Sequence, residues 1–170
     1  ALVLGLSATL VAPQLGARPA KPVKLASHPL AEAQTLDLSK QLIALRSVRG
    51  PGNETGKALG VVKGALVAGG WSEAQVEITP VDDTAYLIAT WPGSDPSAQP
   101  IIMMAHQDVV PVTAGTEKDW KHDPFAGVIA DGAVWGRGTI DDKGSLVALF
   151  EAMEALAVQG FKPKRTIYLV

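Results

Sequence analysis

The feature that most restricts the fold lies between residues 101 and 170, where the apolar run "IIMMA" is followed by the long stretch "KGSLVALFEAMEALAVQ" and then by "RTIYLV". Five apolar residues without alternation read as a strand buried on both faces. Residues 143–159 place Leu146, Phe150, Met153 and Ala157 on one helical stripe, with Gly160 as the stop and Pro163 beyond it. Strand, long crossover helix and strand is the order of a parallel α/β sheet, in which sites gather at the carboxyl ends of strands. His106 ends the first run and Asp141 precedes the helix, so both are candidates for that crevice.

The preceding residues fit the same class. Residues 30–46 carry Leu38, Leu42 and Leu45 on one face with charges opposite, an amphipathic helix broken by "SVRGPGNET". Asn53 or Thr55 can cap a second helix through Leu59, Val62 and Leu66, stopped by Gly69 and Gly70. "QVEIT" and "AYLIATW" read as short strands, and "GVIADGAVWG" as a hairpin turning at Asp-Gly.

The first twelve residues are apolar or small and do not begin with Met. That is the length of a secretory h-region and short of the roughly 20 residues that span a bilayer. Residues 1–29 are therefore read as a clipped signal peptide and a linker punctuated by Pro13, Pro19, Pro22 and Pro29, with an apolar strand or helix as the alternative. Export to the periplasm or the exterior is the corresponding expectation, with 30–170 as the folded part and no stable membrane span.

A formal charge of -2 without a basic run argues against a nucleic-acid partner. With no cysteine in the chain, a metal can be held only by histidine, carboxylate or carbonyl oxygen. Of the three histidines, His28 falls in the Pro-rich linker and His122, in "KDWKHDPF", in a loop or at a substrate rim. Only His106 stands in a ligand-like position.

"GRGTIDDKGS", residues 136–145, lacks the glycine spacing of a phosphate loop and has Asp141 where a dinucleotide fingerprint needs glycine. The alternating acids and terminal glutamate of a calcium loop are absent too. One reading of Asp141 and Asp142 is that of acids at a helix N-terminus, worth about 0.3–1 kcal/mol each. The arginine and glycines ahead of them point instead to a backbone of special geometry. In "AHQDVVP", His106 and Asp108 are two apart in an extended segment and share one side, so the carboxylate can fix the ring's tautomer. His106 and Asp141 together offer one neutral nitrogen and one anionic oxygen, a pair suited to zinc.

These motifs resemble the dizinc metallopeptidases and amidohydrolases that include carboxypeptidase S, glutamate carboxypeptidase, aminoacylase and succinyl-diaminopimelate desuccinylase. The resemblance runs through "IIMMAHQDVVPV", Trp120, "DPFAGVIADGAVWGRGTIDDKGS" and "GFKPKRTIYLV", and covers roughly residues 30–170. Trp120, Pro124 and Phe125 with "GRGTIDDKGS" look most like the carboxypeptidase S branch.

The resemblance implies the N-terminal part of a three-layer α/β/α catalytic domain with a mostly parallel sheet. It implies two zinc ions, with His106 as a ligand of one, Asp141 bridging both, and Asp108 as the active-site acid that orients His106. It also implies a cis peptide between Asp141 and Asp142. Arg137, Asp142 and Lys143 are read as supports of the loop. The expected substrate is a peptide or N-acyl amino acid, cleaved by metal-activated water, and a homodimer would form through a lid domain not found in this sequence. The family's glutamate base, later acid ligand and distant histidine have no match here, so these 170 residues alone are expected to be inactive. The competing reading is a non-catalytic homologue acting as an exported binding module.

Overall fold

The computed structural model describes residues 29–170; the expected leader, nearly all of the linker and His28 lie outside the described residues. Pro29, counted with the linker from sequence, instead opens helix α1 (Pro29–Ala44). There follow α2 (Thr55–Ala68), β1 (Val76–Val81), β2 (Thr84–Trp91), β3 (Ile101–Met103), β4 (Val128–Ala130), β5 (Ala133–Trp135), α3 (Lys143–Val158) and β6 (Ile167–Leu169). No helix among the described residues is long and apolar enough to cross a membrane.

The helix boundaries have local causes. At the start of α2 the Asn53 side chain accepts from both the amide and the hydroxyl of Thr55. At its end the amides of Gly69, Gly70 and Trp71 return to the carbonyls of Ala65, Val67 and Leu66, with Gly70 at φ +99°. This is the left-handed termination expected of a glycine pair.

One four-stranded sheet runs in the order β1-β2-β6-β3. The expected mostly parallel sheet is mixed: β1 pairs antiparallel with β2, β2 antiparallel with β6, and only β3 lies parallel to β6. The cause is connection length. Two residues, Asp82 and Asp83, join β1 to β2 and permit only a hairpin, whereas the path through α3 is long enough for a parallel crossover.

All three helices feed one buried cluster. Leu38 and Leu42 from α1, Leu59, Val62 and Leu66 from α2, and Leu146, Val147, Phe150 and Met153 from α3 meet Leu87, Ala89 and Leu169 of the sheet. Full burial of one such leucine stabilises by about 1.5–3 kcal/mol. On the other face of the sheet, Tyr86 and Ile102 are exposed. Of the three layers expected, the described residues build the sheet and the helices on one of its faces.

The run "IIMMA" departs from expectation. Ile101 and Ile102 are exposed and Met103 only half-buried, because β3 is the outermost strand of the described sheet. An unbroken apolar run does not distinguish a central strand from an edge. The hairpin β4–β5 forms as read, with Asp131 and Gly132 at φ +52° and +73°, the two positive values its tight turn requires.

Candidate metal centre

His106 and Asp108 leave the sheet just beyond β3, where Ala105 N–H still bonds to Val170 O. Alternation persists past the strand: Gln107 and Val109 are buried, while His106 and Asp108 face a cleft. The segment is moored by Ser47, whose hydroxyl donates to Gln107 O at 2.6 Å and whose carbonyl accepts from Val109 N–H at 3.0 Å.

Asp141 comes from the loop between β5 and α3. Arg137 N–H donates to Pro124 O at 2.7 Å, the Thr139 hydroxyl to Gly136 O at 2.8 Å, and Lys143 N–H to Gly138 O at 3.0 Å. Gly138 has φ +88°, and a Cβ there would stand 2.6 Å from Val109 Cγ1 and 3.1 Å from Lys143 Cδ. Only glycine allows the segments that carry Asp108 and Asp141 to approach so closely. The Asp141–Asp142 peptide is cis, as the resemblance implied.

Lys143 is 1% exposed, and its Nζ donates to Leu42 O at 2.6 Å and Leu45 O at 2.9 Å. Burial lowers its pKa to about 8 against the opposing pull of the Asp108 and Glu54 carboxylates. Even the neutral amine retains two N–H groups for two carbonyls. The end of α1 thus holds both segments, one through Ser47 and the other through Lys143. Asp142 contributes its carbonyl to Leu146 N–H, and its side chain makes no cap bond to the helix.

The reactive groups converge on His106. Its Nε2 lies 3.0 Å from Asp141 Oδ1, and its Nδ1 lies 3.0 Å from Asp108 O and 3.4 Å from Asp108 Oδ1. The ring is therefore oriented chiefly by the backbone carbonyl of Asp108, with the expected carboxylate as the longer contact. Burial opposes protonation of His106 most strongly, but the Asp108 carbonyl, the Asp108 carboxylate and Asp141 together outweigh it and raise the imidazole pKa.

These residues fit zinc as far as they go. Ligand atoms about 2.0–2.1 Å from a tetrahedral ion stand roughly 3.3 Å apart, close to the Nε2–Oδ1 separation found here. Donation of Nδ1–H to a carbonyl leaves Nε2 with the lone pair that a metal would need. No group of three or more candidate ligands gathers among the described residues, which supply two.

The cleft has a volume of about 390 Å³, and Trp120, Trp135 and Arg137 join His106, Asp108 and Asp141 in its lining. Arg137 stacks 5.0 Å from the centre of the Trp120 ring. His122 packs its ring edge-on to Trp135 at 5.1 Å and does not line the cleft, so the rim position considered for it gives way to a supporting one. Sequence reasoning missed Ser47, whose hydroxyl carried no signal beyond sitting in a helix-breaking segment.

The fold matches that of an M20 family metallo-carboxypeptidase, Sso-CP2 from Sulfolobus solfataricus, with a TM-score of 0.68 and 19% identity over 80% of this chain and 30% of that one. Residues 102–170 match the model described as peptidase family M20/M25/M40.

Carboxypeptidase S of Saccharomyces cerevisiae is 52% identical over 85 residues, 49% of this chain and 15% of that protein. The human protein named N-fatty-acyl-amino acid synthase/hydrolase PM20D1 is 44% identical over 89 residues, 52% of this chain and 17% of that one. The chain thus matches less than a fifth of the length of these two relatives.

Proposed function

We propose that the full-length protein hydrolyses the amide bond of a peptide or N-acyl amino acid in a zinc-dependent reaction, with residues 30–170 forming part of its catalytic domain. The observation that carries this reading is the convergence of His106 Nε2 and Asp141 Oδ1 at 3.0 Å in an open cleft, within the stretch matched to the peptidase family. The names of the two relatives, a carboxypeptidase and an N-acyl amino acid hydrolase, support the two substrate classes.

His106 would hold one zinc ion through Nε2, and Asp141 would bridge two. When bound, zinc supplies polarisation of the scissile carbonyl and a lowered pKa for the attacking water. The chain's own work is positional. The Asp108 carbonyl accepts a hydrogen bond from Nδ1–H of His106 and so keeps the Nε2 lone pair aimed at the cleft. Asp141, 85% exposed in its side chain, presents its oxygens without displacing a core group. Trp120 and Trp135 supply apolar wall that excludes water from one side of the substrate. No glutamate lines the described cleft, so the group that takes the water's proton is not among the described lining residues.

The test is hydrolysis of N-acyl amino acids and of peptides, read by release of the C-terminal amino acid, with zinc-loaded full-length protein. Asp141→Ala should lower kcat/KM by at least about 100-fold, the scale of losing one centre of transition-state charge stabilisation. Normal activity in that variant would overturn the mechanism. For the 170 residues alone, any measured turnover would contradict the expectation that two ligands cannot complete the centre.

A further inference from the structure

A second cavity, of about 240 Å³, lies at the other end of the sheet from the metal centre. Trp91, at the end of β2, is level with Ile167 and Ile101, where β6 and β3 begin, whereas His106 follows the end of β3. Gly69 and Gly70, just beyond α2, and Ala157 and Val158, at the end of α3, line this cavity together with Trp71 and Trp91.

Two helix C-termini thus meet at one place. Each carries roughly half a negative charge, and neither α2 nor α3 has a basic residue in its last turn. Behind Gly69 stands a carboxylate: a Cβ on that glycine would lie 2.5 Å from Oε1 of Glu154, whose Oε2 accepts from Gln34 Nε2 at 2.9 Å. No lysine, arginine or histidine lines the cavity. Gln75, the remaining polar lining residue, directs its amide to Thr90 O and to the amide and hydroxyl of Ser72.

The aromatic lining favours the same sign of charge. Trp71 and Trp91 stand with ring centres 5.6 Å apart at 63°, and Phe161 meets Trp91 at 5.8 Å and 78°. An indole face attracts a cation within about 6 Å of its centre, and quaternary ammonium groups are the usual guests of such surroundings. Trp71 is 6% exposed, and its Nε1–H has no acceptor among the described residues. A buried donor without an acceptor is costly.

We propose that this cavity binds a small quaternary ammonium cation bearing a hydroxyl, a ligand of the choline type. The helix ends and Glu154 supply the negative field, the indoles the apolar walls, and the hydroxyl of the guest an acceptor for the Trp71 N–H. A metal ion is the poorer guest, because indole walls cannot replace its water. The cavity shares no residue with the metal cleft, so the proposal does not depend on the hydrolytic reading.

The experiment titrates the full-length protein with choline chloride and follows the methyl resonance of the guest. The uncharged isostere 3,3-dimethylbutan-1-ol serves as the comparison, with sodium chloride matching the ionic strength. Choline should bind saturably, and the isostere roughly 2- to 30-fold more weakly, the factor that a cation–π contact contributes. Glu154→Gln should weaken choline and spare the isostere, since only a charge feels the carboxylate. Trp91→Leu should abolish the preference for choline, and Trp91→Phe should retain part of it. Val158→Arg, at an exposed position, should suppress choline binding by tethering a cation at the helix ends. It decides the outcome if a thermal melt shows Trp91→Leu to be unfolded.

Equal affinity for choline and the isostere, or no saturable binding of choline, overturns the proposal. So does unchanged binding in both Glu154→Gln and Val158→Arg. The acidic metal cleft is the rival location: choline held at the far cavity should bind equally well with zinc present and in Asp141→Ala, and a loss in either case overturns the assignment. A protein that binds choline in this way and hydrolyses no amide would keep the cation site and lose the hydrolytic reading.

Discussion

The hydroxyl of Ser47 donates to the carbonyl of Gln107 at 2.6 Å, tying the residue between His106 and Asp108 to the chain just beyond α1. Both partners are buried, Ser47 completely. Ser47→Ala would leave a buried acceptor unsatisfied and should lower stability by about 1–3 kcal/mol. Urea unfolding of the metal-free protein would show it as a lower midpoint with an unchanged slope.

Zinc should raise the thermal midpoint. A ligand at about 100 times its Kd stabilises the folded state by about 2.7 kcal/mol, roughly 5–10 °C for a domain of this size. His106→Ala or Asp141→Asn should remove most of that rise, and a chelator should reverse it in the wild type. Differential scanning calorimetry with and without zinc distinguishes these outcomes.

Gly138→Ala should lower the thermal midpoint and suppress the zinc response together, because a methyl at φ +88° would meet Val109 and the Lys143 stem. The expected destabilisation is about 1–3 kcal/mol, the range for overpacking a tight contact. A variant with a normal midpoint and a normal zinc shift would show that the two segments do not need this close approach.

Stability of the metal-free protein should pass through a minimum between about pH 7 and pH 8. Burial raises the Glu151 pKa from 4.5 to about 7, with the Glu154 charge adding to the effect. Between those values the folded state binds the extra proton, so stability falls as pH rises. The raised pKa of His106 acts in the same direction above its ordinary value. Lys143 acts oppositely: its pKa falls from 10.5 to about 8, so over that interval the unfolded state holds the extra proton and stability rises with pH. Glu151→Gln should flatten the falling limb and Lys143→Met the rising one in chemical denaturation across pH 4–11.

Local signals carried most of the elements. The Leu38–Leu42 stripe, the glycine pair after α2, the Asp131–Gly132 turn and the residues of α3 each stated their own conformation through periodicity or φ preference. That His106 and Asp141 would approach one another was legible because a strand end and a helix mouth are recognisable places in a chain. Pairing was not: that β2 would lie between β1 and β6, making the sheet mixed, depends on partners far apart in sequence. Nor was the mooring at α1, since Lys143 reaches carbonyls 101 and 98 positions away and backbone oxygens leave no mark in residue identity.

The outer edge of β3 bears on how these residues behave in solution. A strand with one side unpaired among the described residues, carrying exposed Ile101 and Ile102, offers a template on which a second molecule can lay its own strand. Preparations of this segment alone should therefore scatter light increasingly with concentration. Lysine at position 102 would give such a preparation the charge that natural edge strands use to remain monomeric.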